Sequence, residues 1–224
     1  MGLWAATDLM VGGEPLGCAR VNGRVNSRGN EVDRHARTAY VVILMLTVGQ
    51  LVVATFVDGL PQFEGKAFGG RLVAYPIAML LPPSIWWLVA RHRGNDSPLP
   101  WAGFAFIAAP FLVDVTGNTL DLYDTLGWWD DANHYVNWLL LCLGIGLLLE
   151  RQVVRPVWVL VLLVTGIGAA LAIGWELSEW YLFIRHGTEL DTAYTDTLGD
   201  EALGTLGALV AGLLLRRPRG ARGA

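Results

Sequence analysis

Six stretches rich in apolar residues, at about 39–57, 72–90, 101–121, 133–149, 156–183 and 197–215, dominate this chain. A helix needs roughly 20 mostly apolar residues to cross the hydrocarbon core of a bilayer, and only helices or closed barrels satisfy their own backbone there. The spacing predicts an all-α fold, a polytopic membrane helix bundle of about six transmembrane helices. The composition agrees, with 54% hydrophobic residues, only 16% charged residues and 10 tryptophans. The second stretch holds Pro76, Pro82 and Pro83 and is expected to kink or break. The fourth and sixth are short unless their polar N-terminal residues count as part of the span.

The 16 Lys and Arg residues set the expected orientation. Arg20, Arg24, Arg28, Arg34 and Arg37 precede the first span, Arg91 and Arg93 follow the second, Arg151 and Arg155 follow the fourth, and Arg216, Arg217, Arg219 and Arg222 follow the sixth. Only Lys66, Arg71 and Arg185 fall on the other side. The positive-inside rule then places both termini in the cytoplasm. Three parts follow: a disordered Arg-rich cytoplasmic arm at 1–36, a six-helix transmembrane domain at 37–216, and a basic cytoplasmic tail at 217–224. No cleavable signal sequence is expected, because no apolar run precedes a small-residue site, and the Leu16–Cys18 triplet lacks the same run for a lipoprotein box. Cys18 and Cys142 fall in cytoplasmic and membrane segments, so a structural disulfide is not expected.

Acids are distributed the opposite way. Asp121, Asp124, Asp130, Asp131, Glu189 and Asp191 lie in outer loops, while Glu176, Glu179, Asp196, Asp200 and Glu201 lie at outer helix ends. This is an acidic mouth, which concentrates cations. Helical periodicity turns many of these residues inward. Asp196, Asp200, Gly204, Gly207 and Ala211 share a face of the last helix, and Thr165, Ala169, Ala172, Glu176 and Glu179 share one of the fifth. Asp114, Asn118 and Asp121 align on the third helix, and Asp130, His134 and Asn137 on the fourth.

An Asp at the centre of a membrane helix costs about 2.5–3.5 kcal/mol on insertion scales. Several in one bundle require water, partners, protonation or a cation. His134 with Asp130, Glu176 with Glu179, and Asp196 with Asp200 have spacings that let metal ligands share a face. A mixed nitrogen and oxygen set suits Zn²⁺, Mn²⁺ or Fe²⁺, and an oxygen-only subset suits Mg²⁺ or Ca²⁺. A plainer account makes Asp130, Asp131 and Asp196 helix caps, which the helix dipole favours. That account fails for Glu176 and Glu179, near a helix C-terminus, and for Asp200, one turn deeper. Trp128, Trp129, Trp138, Trp175 and Trp180 are expected to form an interfacial belt or to pack, with a wall for a cationic ligand as the alternative. Asp114 reads as a buried hydrogen-bonding residue.

The motifs DDANHYVNW (130–138), WELSEW (175–180) and DTLGDEALGTLGA (196–208) resemble the YjdF-type family of small bacterial inner-membrane proteins. They are more distantly similar to the VanZ-like family, associated with glycopeptide resistance. The likeness covers roughly residues 100–215 and falls on Asp130 and His134, on Glu176, Glu179 and Trp180, and on Asp196, Asp200 and Gly207. It implies a multi-pass protein of the bacterial cytoplasmic membrane and a shared site, without naming a reaction.

Three functions are consistent with these residues. The first is binding of a divalent cation (Zn, Mn, Mg or Ca) or a cationic solute at an extracytoplasmic site formed by Asp130, His134, Glu176, Glu179, Asp196 and Asp200. The second is a metal-assisted hydrolase or transferase acting on a lipid-linked or envelope substrate, with His134 or Glu176 as general base. The third is a non-catalytic envelope scaffold. The expected partners are the lipid bilayer and a cation or small envelope-linked substrate, with no nucleic acid. The inner thirds of the last three spans are nearly pure Leu, Val, Gly and Ala, which argues against a simple ion pore.

Overall fold

The computed structural model describes residues 18–57, 59–94, 98–150, 156–182, 184–186 and 190–215. The described residues form helices and no strand. These are α1 (Cys18–Phe56), α2 (Phe68–His92), α3 (Trp101–Thr119), α4 (Leu122–Thr125), α5 (Trp129–Glu150), α6 (Val157–Leu182) and α7 (Leu190–Leu215), with single 3-10 turns at Pro61–Phe63 and Ile184–His186.

Five helices are long and apolar enough to cross a membrane: Gly29–Phe56 within α1, Phe68–His92, Trp129–Glu150, Val157–Tyr181 within α6 and Thr192–Leu215 within α7. The third expected span, α3, has 19 residues and does not reach that standard. Asp114, Thr116 and Asn118 lower its hydropathy, and its neighbours are α1, α2 and α5. A helix enclosed by protein can carry polar groups that a lipid-facing helix cannot.

Three further features have local causes. α2 was expected to kink or break, and the break does not occur: the helix runs on past Pro76, Pro82 and Pro83. Each proline removes one amide donor, a loss tolerated in membrane helices where neighbouring groups re-satisfy the freed carbonyls. α1 begins at Cys18, inside the segment read as a disordered arm. Extending an existing helix adds one hydrogen bond per residue without a new nucleation step. α5 and α7 both start before their apolar stretches, at Trp129 and Leu190, so the acidic residues belong to the helices, as the shortness of those stretches implied. Residues 1–17 of the arm and 217–224 of the tail lie outside the described residues.

The helices pack in two groups, α1 with α2 and α3, and α5 with α6 and α7, joined where α3 meets α5. Leu51, Phe68, Tyr75 and Val115 fill the core of the first group, and Cys142, Leu160, Val164, Ala208 and Ala211 that of the second. Glycine sets the spacing where α5 crosses α3 and where it crosses α7. A Cβ on Gly144 would stand 2.7 Å from the Gly103 carbonyl oxygen and 2.8 Å from the Ile107 nitrogen. One on Gly207 would stand 2.5 Å from the Tyr135 carbonyl oxygen and 2.9 Å from the Leu139 nitrogen. Backbone at that range admits only glycine, as in other close-packed membrane helices.

At one end of the bundle the connections draw together. Lys66, between α1 and α2, pairs with Asp121 at 2.7 Å and Asp124 at 2.6 Å, between α3 and α5. The N-terminus of α5 and the C-terminal part of α6 lie at this same end, around one cavity.

Candidate functional site

His134 stands in the second turn of α5, and its buried ring meets acids from three helices. Its Nε2 is 3.6 Å from Asp130 Oδ1, one turn earlier on the same helix. Its Nδ1 is 3.8 Å from Glu176 Oε1 of α6 and 3.6 Å from Asp200 Oδ1 of α7. His134 is 8% exposed, Glu176 5% and Asp200 4%. The Gly204–Gly207 stretch of α7, seated against Trp138 and the α5 backbone, brings Asp200 this close.

The charges here are one-sided. The ion pairs of Asp130, Glu176 and Asp200 all run to His134, while Lys66 is taken by Asp121 and Asp124, and Arg71 by Asp114 at 2.5 Å. Among the described residues no Lys or Arg forms an ion pair with Asp130, Glu176 or Asp200. Buried carboxylates without a Lys or Arg partner are costly unless they are protonated or joined by a cation.

The donor set fits a divalent cation. Asp130, His134 and Asp200 each offer a ligand atom within 4.8 Å of the others, and so do His134, Glu176 and Glu179. His134 Nδ1 is buried with no hydrogen-bond partner. Two ligands held about 2.1 Å from one tetrahedral ion lie about 3.4 Å apart, close to the separations at Nδ1. Of the six residues expected at the site, the structure therefore gathers Asp130, His134, Glu176, Glu179 and Asp200. Asp196 belongs to neither compact group and is exposed at the rim.

A second polar cluster lies beside the first. Asp114 accepts hydrogen bonds from Arg71 Nη1 and Tyr75 of α2, both at 2.5 Å, from Tyr123 at 3.0 Å and from Asn118 at 3.1 Å. Tyr123 in turn accepts from Asn133, whose Oδ1 accepts from Asn137 at 2.9 Å. Burial, and then the nearby Asp114 charge, push the Tyr123 hydroxyl up, which keeps it a donor. Asp114 is the hydrogen-bonding residue expected, though half-buried, and its partners Arg71, Tyr75 and Tyr123 had no expected role. The signal available was an Arg and a Tyr four residues apart, at 71 and 75, at the polar start of an apolar helix.

Both clusters border one cavity of about 380 Å³. Lys66, Arg71, Asp114, Asp130, His134 and Glu179 are on its lining, whereas Glu176 and Asp200 are not.

Apolar helices with a buried histidine and carboxylate group define the class, a multi-pass α-helical membrane protein. Residues 40–220 match the family described as "Predicted membrane protein (DUF2238)", and the chain belongs to that family. This is the same family as the YjdF-type proteins, and the match does not extend to the VanZ-like proteins. No curated protein and no solved structure matches the chain.

Proposed function

We propose that this protein binds a divalent cation through His134, Asp200 and Glu176, with Asp130 and Glu179 next to them and Asp196 at the rim. The observation that carries the reading is His134 Nδ1, a buried nitrogen without a hydrogen-bond partner that faces two buried carboxylates from two other helices. In a membrane helix such groups are expensive unless they have a purpose or a partner. An ion among them supplies the missing positive charge.

The site is proposed to open on the extracytoplasmic side of a bacterial cytoplasmic membrane, with six spans and both termini in the cytoplasm. The distribution of Arg residues supports this orientation. α3 counts as the sixth span in this reading because it reaches from the Pro98–Pro100 end of the bundle to the Asp121 end, enclosed by other helices.

The cavity beside His134 favours a second reading, a metal-assisted hydrolase or transferase. A bound divalent ion would polarise an oxygen or acidify a water there. In this reading Glu176, or His134 where one ring nitrogen stays free of the ion, would take up the proton.

Elemental analysis of protein purified without chelator or metal-affinity resin tests the ion. Stoichiometric metal in wild type, lost in Asp200→Asn and Glu176→Gln preparations that still insert and fold, is the expected result. Wild-type metal content in both variants sinks the proposed centre. Orientation is tested separately by Thr125→Cys in a background with Cys18 and Cys142 replaced, where labelling from the cytoplasmic side alone would reverse it.

A further inference from the structure

We infer that the 380 Å³ cavity lined by His134, Asp130 and Glu179 is a binding site for an organic cation, an amine carried on an apolar body, adjoining the proposed ion site and sharing carboxylates with it. The cavity is far larger than a bare ion fills. The volume equals about a dozen waters' share of liquid and falls within the range of small-molecule pockets.

Charge selects a cation. The lining carries two basic residues, and both are committed to acids, Arg71 to Asp114 and Lys66 to Asp124 and Asp121. With those pairs set aside, Asp130, Glu179 and Asp196 remain on the lining, and their charge is unmatched among the described Lys and Arg pairs. An anion would meet three uncompensated carboxylates, which like-charge repulsion disfavours.

Hydrogen bonding sharpens the ligand. The carboxylates of Asp130, Glu179 and Asp196 on the lining accept charge-assisted hydrogen bonds, which favours an ammonium that still carries N–H groups over a quaternary one. Phe111, Trp138 and Trp175 supply an aromatic wall, suited both to an apolar body and to a cation over a ring face.

The test uses the full chain in detergent micelles and isothermal titration with phenethylamine, its trimethylammonium counterpart and phenylacetate. Phenethylamine is expected to bind, more tightly than the trimethylammonium compound, and phenylacetate is not. Glu179→Gln should weaken phenethylamine by about tenfold or more, the effect of one hydrogen bond to a charged group. Glu179→Asp, which keeps the charge, should restore most of the binding. If Glu179→Gln does not fold, Asp130→Asn carries the same comparison. Absent amine binding, equal binding of phenylacetate, or an affinity unchanged in both Glu179→Gln and Asp130→Asn overturns the inference. The titration is repeated after chelation: amine binding that survives in metal-free protein separates this site from the ion site, so either can fail alone.

Discussion

His134 Nδ1 and Asp200 Oδ1 face each other at 3.6 Å across the contact between α5 and α7, too far for a hydrogen bond and close enough to share an ion. The pair therefore makes opposite demands with and without metal. His134→Gln keeps a polar group of similar reach but removes the nitrogen donor. Metal affinity should fall by more than the roughly 10–100-fold typical of outer-shell partners, while thermal stability of the chelated protein changes little. A variant that loses stability and metal in equal measure would make His134 a packing residue.

The same contact depends on Gly207, whose Cβ position is occupied by the α5 backbone. Gly207→Ala should move α7 away from α5 at a cost of about 1–3 kcal/mol, and it should lower metal content because Asp200 rides on α7. Gly174→Ala is the control, since nothing lies within 4 Å of a Cβ there. Melting curves and metal analysis of the two variants check this. Equal behaviour of both would mean that α7 is not held where the site needs it.

This contrast also explains what was legible in the sequence. The stripe Asp200, Gly204, Gly207 and Ala211 could be placed on one face because helical period alone fixes it, and all four are buried. Asp130, His134, Glu176 and Asp200 came out of the same reasoning. Asp196 shares that register but lies near the start of α7, where the face opens to solvent, and periodicity carries no information on depth. The Asp114 cluster was largely illegible because its members come from α2, α3, α5 and the connection between the last two, and no spacing in one helix encodes such a meeting. The 101–121 stretch reads as a sixth span, and apolar content shows that such a helix is buried without showing whether lipid or protein buries it.

Asp114 tests the value of that cluster. It accepts from Arg71, Tyr75, Tyr123 and Asn118, and Arg71 has no other acid among its described ion pairs. Asp114→Asn would leave a largely buried guanidinium uncompensated, a loss of about 3–5 kcal/mol. The double variant Asp114→Asn with Arg71→Met removes both charges and should recover a good part of this. Thermal unfolding of the two variants in the same detergent makes the comparison. If the double variant is no more stable than the single one, the pair does not act as a unit.

The clamp of Lys66 on Asp121 and Asp124 predicts a pH dependence with a definite sign. Burial alone would lower the Lys66 ammonium, but hydrogen bonds to Asp121 and Asp124 outweigh it and raise the pKa above the usual 10.5. The hydrogen bond from Lys66 holds the Asp124 carboxyl below the usual 3.8. A raised lysine contributes stability that is fully present below 10.5 and is lost as pH rises through the folded value. A lowered carboxyl contributes stability that is present above 3.8 and is lost as pH falls through its folded value. The clamp should therefore hold across the neutral range and release at both extremes. Because Asp124 is exposed, the effect is small and screened by salt. Lys66→Met should lower the melting temperature slightly at neutral pH and low ionic strength, and the difference from wild type should close as pH falls through the lowered Asp124 value and as it rises through the raised Lys66 value. A difference that persists unchanged at either extreme would show that Lys66 acts through the packing of its alkyl chain and not through its charge.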